Sequence, residues 1–145
     1  MNVLNKTIKT DIATITEIDH ETLLIDIEAG RALELKDYQQ TMDAAYTLGG
    51  GVKYYNLANI GEFTMPDHEA RIASISIEGA KYKIADAFII TTSAQKIIAN
   101  LYINFHKPTV RTRFFTNRDQ ALAWIEGLKV ADRLAVQKNN WNPAN

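Results

Sequence analysis

Between Ile8 and Ile18 the chain is rich in β-branched residues and alternates at a period of two. Ile12, Thr14, Thr16 and Ile18 share one parity, and Ala13, Ile15 and Glu17 the other. That pattern predicts a strand, because successive side chains of an extended chain point to opposite faces. Asp19-His20-Glu21 is a polar turn and Leu23–Ile27 the returning strand, so the chain opens on a predicted β-hairpin.

Over Lys36–Leu48 the period lengthens. Leu35, Tyr38, Met42, Ala45 and Tyr46 recur at three- and four-residue steps, the stripe of an amphipathic helix. Gly49-Gly50-Gly51 ends it, since glycine takes the left-handed conformation that closes a helix. Val52–Leu57 is the next strand. Thr64–Ile77 reads as a helix with Thr64 as cap, Pro66 in the first turn and Gly79 as its end. Ile84–Thr91 is a buried-looking strand. Thr92 with Gln95 makes a capping box for a helix whose apolar face is Ala94, Ile97, Ile98, Leu101, Tyr102 and Phe105, and Pro108 blocks its continuation. Val110–Phe115 is the last strand, and Asn117 caps a final helix carrying Ala121, Leu122, Trp124, Ile125 and Leu128. The order is a hairpin, three αβ units and a closing helix. It predicts one α/β domain with a mixed, mostly parallel sheet and helices packed against it.

Composition narrows the function classes. The 145 residues are 46% hydrophobic and 23% charged, an ordinary globular balance for one domain. No cysteine is present, which excludes disulfides, thiol nucleophiles and cysteine-ligated metals. No stretch approaches the roughly 18 apolar residues of a membrane helix, and the start has no leader pattern; the expectation is a cytoplasmic protein.

The residues resemble a known family at several points. These are Leu48-Gly49-Gly50-Gly51 before a strand, Phe88-Ile89-Ile90-Thr91-Thr92-Ser93 leading into a helix, Asn104-Phe105-His106-Lys107-Pro108, and Thr116–Ile125. In order and local phrasing the chain resembles STAS-like domains, the fold of the bacterial anti-sigma-factor antagonists, and within them a family of small bacterial proteins. The domain is drawn at residues 1–129, with 130–145 a helical extension and frayed tail. The resemblance implies a non-enzymatic module for protein interaction or ligand sensing, with a protein partner or a second copy of itself as a homodimer. In the antagonists a serine at the start of the helix after the third strand is phosphorylated to release the partner. The corresponding stretch here, Asn59–Asp67, lacks their Asp-Ser-Ser/Thr-Gly pattern and offers only the Thr64 hydroxyl. Phe63, Thr64 and Met65 mark the expected interaction loop, where Phe63 and Met65 are apolar for a connection.

No catalytic site is visible. Gly49-Gly50-Gly51 follows a helix and precedes a strand, the reverse of a phosphate loop, and no lysine and hydroxyl follow it directly. His20, His68 and His106 fall in separate connections or helix starts without metal-ligand spacing, so no metal or cofactor is expected. There is no Gly-x-Ser-x-Gly elbow. Asp26 and Asp86 each interrupt an apolar strand, where a carboxylate is costly unless partnered; such residues more often sit at a strand end or an exposed edge. A third class, an enzyme whose site is assembled from distant residues, would be revived by two or more polar side chains of perturbed pKa in one closed pocket.

Charge is the remaining clue. The net charge is −1, yet residues 1–86 hold 8 Lys/Arg against 14 Asp/Glu, and residues 87–145 hold 8 against 3. Arg111 and Arg113 fall on one face of the last strand, about 7 Å apart, with Lys107 and Arg118 flanking them. That set is either an anion- or ligand-binding site for a small anionic or amphipathic molecule, or an edge strand protected by charge. Without interleaved aromatic and basic residues, nucleic acid is not an expected partner.

Overall fold

The structure is a computed structural model and describes residues 6–140. Among them, six strands form one sheet: β1 (Thr7–Lys9), β2 (Ala13–Asp19), β3 (Thr22–Ile27), β5 (Tyr54–Ile60), β7 (Lys83–Ile89) and β8 (Arg111–Phe115), in that spatial order. A second, two-stranded sheet pairs β4 (Ala32–Leu33) with β6 (Met65–Pro66). The first three strands run antiparallel and the rest parallel, as the alternation predicts.

The expected first strand, Ile8–Ile18, is two strands. Thr10 N donates to Ala13 O at 2.8 Å and Ala13 N donates back to Thr10 Oγ1 at 3.1 Å, reversing the chain at Thr10–Ile12. A hydroxyl two residues into a polar step competes with the strand ladder for the backbone, and here it closes a turn.

The helices are α1 (Leu35–Gly49), α2 (His68–Ile75), α3 (Ser93–Leu101) and α4 (Arg118–Asn140), and α3 runs into a π-helical turn, Tyr102–His106. Gly50 closes α1 at φ 62° with its N–H on Tyr46 O, so the glycine triplet is a helix stop. Tyr46, counted in the apolar stripe, is exposed and lies against Tyr82 instead. The Thr92–Gln95 capping box and the Asn117 cap are both present. α2 differs from expectation. Asp67, not Thr64, caps it by accepting from Ala70 N at 2.8 Å, while Met65 and Pro66 pair with β4. Asn59 and Ile60, expected in a loop, extend β5.

Helix α4 covers one sheet face, its Ala121 and Ile125 packing on Leu57, Ala85, Ala87 and Phe115. Helix α1 packs the other face at the β2–β3 end through Ala44, Ala45 and Leu48 against Ile15, Leu23 and Tyr54. Continuing the α4 stripe, Lys129 is 4% exposed and bridges Asp19 at 3.1 Å and Glu126 at 2.9 Å. Residues 130–140 belong to the same helix, whereas the expected frayed tail at 141–145 lies outside the described residues.

Two β5 tyrosines point to opposite faces and donate to carboxylates: Tyr54 OH to Glu17 Oε2 at 2.5 Å, and Tyr55 OH to Asp132. Burial, then the hydrogen bond to the acidic partner, pushes each phenol up to about 12. An unfolded tyrosine ionises near 10, so below that pH both states keep their protons and nothing is lost. Above it the unfolded chain ionises first. Stability is expected to fall as pH rises from about 10 towards 12, with phenolate absorbance at 295 nm appearing together with loss of circular dichroism.

Candidate functional site

On the face carrying α1, α2 and α3 the packing is incomplete. A cavity of about 160 Å³ lies between the sheet and these helices, walled by Ile25, Ile27, Met42, Phe88, Ile98 and Phe114 among others. Into this mostly apolar space the sheet and helices also project Asn56, Lys83, Asp86, Tyr38, Ser74 and Tyr102.

A register slip builds the cluster. Tyr54 pairs with Lys83 but Tyr55 with Ala85, so Ile84 is one residue too many in β7. Strict alternation would send Lys83 and Asp86 to opposite faces; the bulge turns both to the cavity side. Their side chains are 6% and 3% exposed, and Lys83 Nζ donates to Asp86 Oδ2 at 2.9 Å and to Ser74 O at 3.1 Å. Asn56 Nδ2 donates to Asp86 Oδ1 at 3.0 Å, while Asn56 Oδ1 is buried with no partner. Tyr38 OH reaches Gly79 O at 3.3 Å and its ring lies 5.7 Å from Lys83 Nζ; Tyr102 OH and Ser74 Oγ share a hydrogen bond of 3.0 Å.

Burial works against the charge of Lys83, but Asp86 beside it outweighs that and raises the ammonium pKa above its ordinary value. Burial raises Tyr38 and Tyr102 as well. Several perturbed groups, Tyr38, Lys83 and Tyr102, thus share one pocket, the finding that would revive the enzyme reading. The shifts favour the ammonium form of Lys83 and the neutral form of both phenols. The arrangement offers fixed donors and acceptors inside an apolar space, which is the chemistry of holding a molecule.

Sequence reasoning singled out only Asp86 of this cluster, and Asp86 is not at a strand end or edge: it is buried mid-sheet. Its aspartate-in-an-apolar-run pattern was the available signal; Lys83 carried none, because only the bulge brings it round. Asp26 is exposed and accepts from Asn59 Nδ2 at 3.3 Å.

The basic strand is placed differently from the cavity. Arg111 and Arg113 share the α4-side face of β8, the edge of the sheet. Arg111 is held bidentately by Asp132, at 2.9 and 2.8 Å, so its charge is compensated. Arg113 stacks over Phe115 at 5.2 Å and lines a groove between α3 and β8 with Lys96, Asn100 and Asn104. Lys107 follows the π turn at φ 42°, and Arg118 begins α4.

Of the expected interaction loop, Phe63 is 67% exposed and held at φ 63°. Thr64 is fully buried; its hydroxyl donates to Glu28 O and accepts from Arg31 N at 3.1 Å. Met65 is part-buried in β6. On α3, Gln95 takes the inward position and donates to Gly61 O and Thr64 O at 2.8 and 3.0 Å. Ile97, Leu101 and Phe105, expected on the buried face, are therefore exposed. His20, His68 and His106 stand apart, and no group of three metal-ligating side chains occurs among the described residues.

No curated protein matches the chain. A family model described as Domain of unknown function (DUF7793) matches residues 16–129, and the chain belongs to that family. Among solved structures it is similar to an uncharacterized protein from the DUF3478 family with a SpoIIAA-like fold, from Shewanella loihica PV-4. The two are 17% identical with a TM-score of 0.53, over 86% of this chain and 96% of that one. The SpoIIAA-like fold is the STAS-like arrangement anticipated from the order of elements.

Proposed function

We propose that this member of the family is a non-catalytic binding module that takes a small amphipathic molecule into the cavity between its sheet and α1–α3. The observation that carries this is the pairing of apolar walls with an enclosed polar cluster that retains one unpartnered acceptor, Asn56 Oδ1. Interiors ordinarily pack to crystal density, and an unpartnered buried polar atom costs about 1–3 kcal/mol. A ligand with an apolar body offsets the packing cost by filling the space between the apolar walls.

A second reading, protein contact including self-association as a homodimer, is favoured by Phe63. A large apolar side chain on a left-handed, non-glycine backbone is costly to display to water and needs a reason. Ile97, Leu101 and Phe105 add exposed apolar area. The two readings are compatible, since the Phe63 loop is tied through Gln95 to the helix that walls the cavity.

Native mass spectrometry on protein purified gently from its own host tests both. The expected result is a non-covalent adduct that disappears on denaturation. A bare polypeptide mass would overturn the cavity reading as stated, and the same spectrum shows whether the chain is a monomer or a dimer.

A further inference from the structure

We infer that the molecule the cavity receives is a small carboxylate whose anionic end meets Arg71. This rests on the cavity-binding reading above and adds the chemical class of the ligand.

Three charged side chains line the cavity: Lys83, Asp86 and Arg71. Lys83 and Asp86 neutralise one another at 2.9 Å, and the second Asp86 oxygen is taken by Asn56 Nδ2. Arg71, on α2, is part-buried and donates through Nη1 to Pro66 O at 2.9 Å. No carboxylate among the described residues pairs with it. The cavity wall therefore carries one uncompensated positive charge, on a guanidinium most of whose five N–H donors have no protein acceptor.

That surplus selects among ligands. A carboxylate supplies the opposite charge and fits the planar fork in two parallel hydrogen bonds. An alcohol leaves the cation uncompensated, and an amine adds a second positive charge to a part-desolvated site. As for size, a cavity of roughly 150 Å³ holds a benzene ring. A single ring or a short branched chain with a carboxylate suits the 160 Å³ present here.

The test uses the full chain and probes of matched shape: phenylacetate, 2-phenylethanol and 2-phenylethylamine, titrated by calorimetry and by ¹⁵N–¹H NMR. Phenylacetate is expected to bind at least about tenfold more tightly than 2-phenylethanol, with the amine weakest. Arg71→Gln should erase the preference for the carboxylate. Equal affinity for the three matched probes would overturn the carboxylate assignment and leave the cavity reading standing. Absence of any NMR shift at cavity residues with all of them would overturn the cavity reading itself. Should Arg71→Gln fail to fold, the ranking on the unaltered chain decides.

Discussion

Asp86→Ala is expected to destabilise the fold by about 3–5 kcal/mol, because it strands the Lys83 ammonium in a nearly closed site. Two donors lose their acceptor at once, since Asn56 Nδ2 also gives its hydrogen bond to this carboxylate. The loss is directional. Removing both charges, as Lys83→Met with Asp86→Leu, takes away the attraction and the desolvation cost together and should recover most of the stability. Urea unfolding of the two variants beside the unaltered chain gives the comparison. A single variant within about 1 kcal/mol of the parent would mean that water already reaches Lys83 and that the cluster is not enclosed.

Gly61→Ala is the second large effect, expected at about 3 kcal/mol or more. A Cβ at Gly61 would come within 2.4 Å of Ala29 N, 2.5 Å of Glu28 C and 2.6 Å of Ala29 Cα. All three are backbone atoms, so no side chain can swing aside to relieve the overlap. The strand is also pinned where it stands: Gly61 N donates to Ile27 O at 3.0 Å, and Gly61 O accepts from Gln95 Nε2 at 2.8 Å. Here glycine serves a close approach between the β3–β4 connection and the end of β5. Relieving the clash requires moving the loop that displays Phe63 and breaking the Gln95 bridge to α3. Thermal unfolding of the variant is the direct measurement; a melting temperature equal to the parent's would show that this crossing is looser than the distances require.

The capping residues illustrate what a linear pattern reveals. The helix stop at Gly50, the Thr92–Gln95 box and the Asn117 cap are local devices, each complete within four or five residues, and each is legible before any tertiary contact is known. Strand parity works the same way, because a side chain's face is set by its own backbone. Where the expectation failed, a distant group had intervened. Thr64 has the chemistry of a cap, but Glu28 O and Arg31 N, more than thirty residues earlier, engage its hydroxyl and hold the chain extended until Asp67. Gln95 looks like a cap residue and nothing more, yet its second role towards Gly61 and Thr64 turns α3 so that Ile97, Leu101 and Phe105 face outward.

The sequence by itself determined the class of the molecule: one α/β domain, antiparallel at its start and parallel afterwards, without cysteine chemistry. Period, caps and breakers are local, and the order of elements leaves few ways to pack them. Only the tertiary structure decided which polar side chains meet. The basic last strand, prominent in composition, spends Arg111 on Asp132 of α4, which is a partner twenty-one residues away. Lys83, inconspicuous in the chain, reaches Asp86 because one extra residue in β7, Ile84, rotates it to the cavity side. A bulge is set by how two strands settle against each other and against the layers above them. Its consequence for which side chains meet therefore appears only once the sheet is assembled.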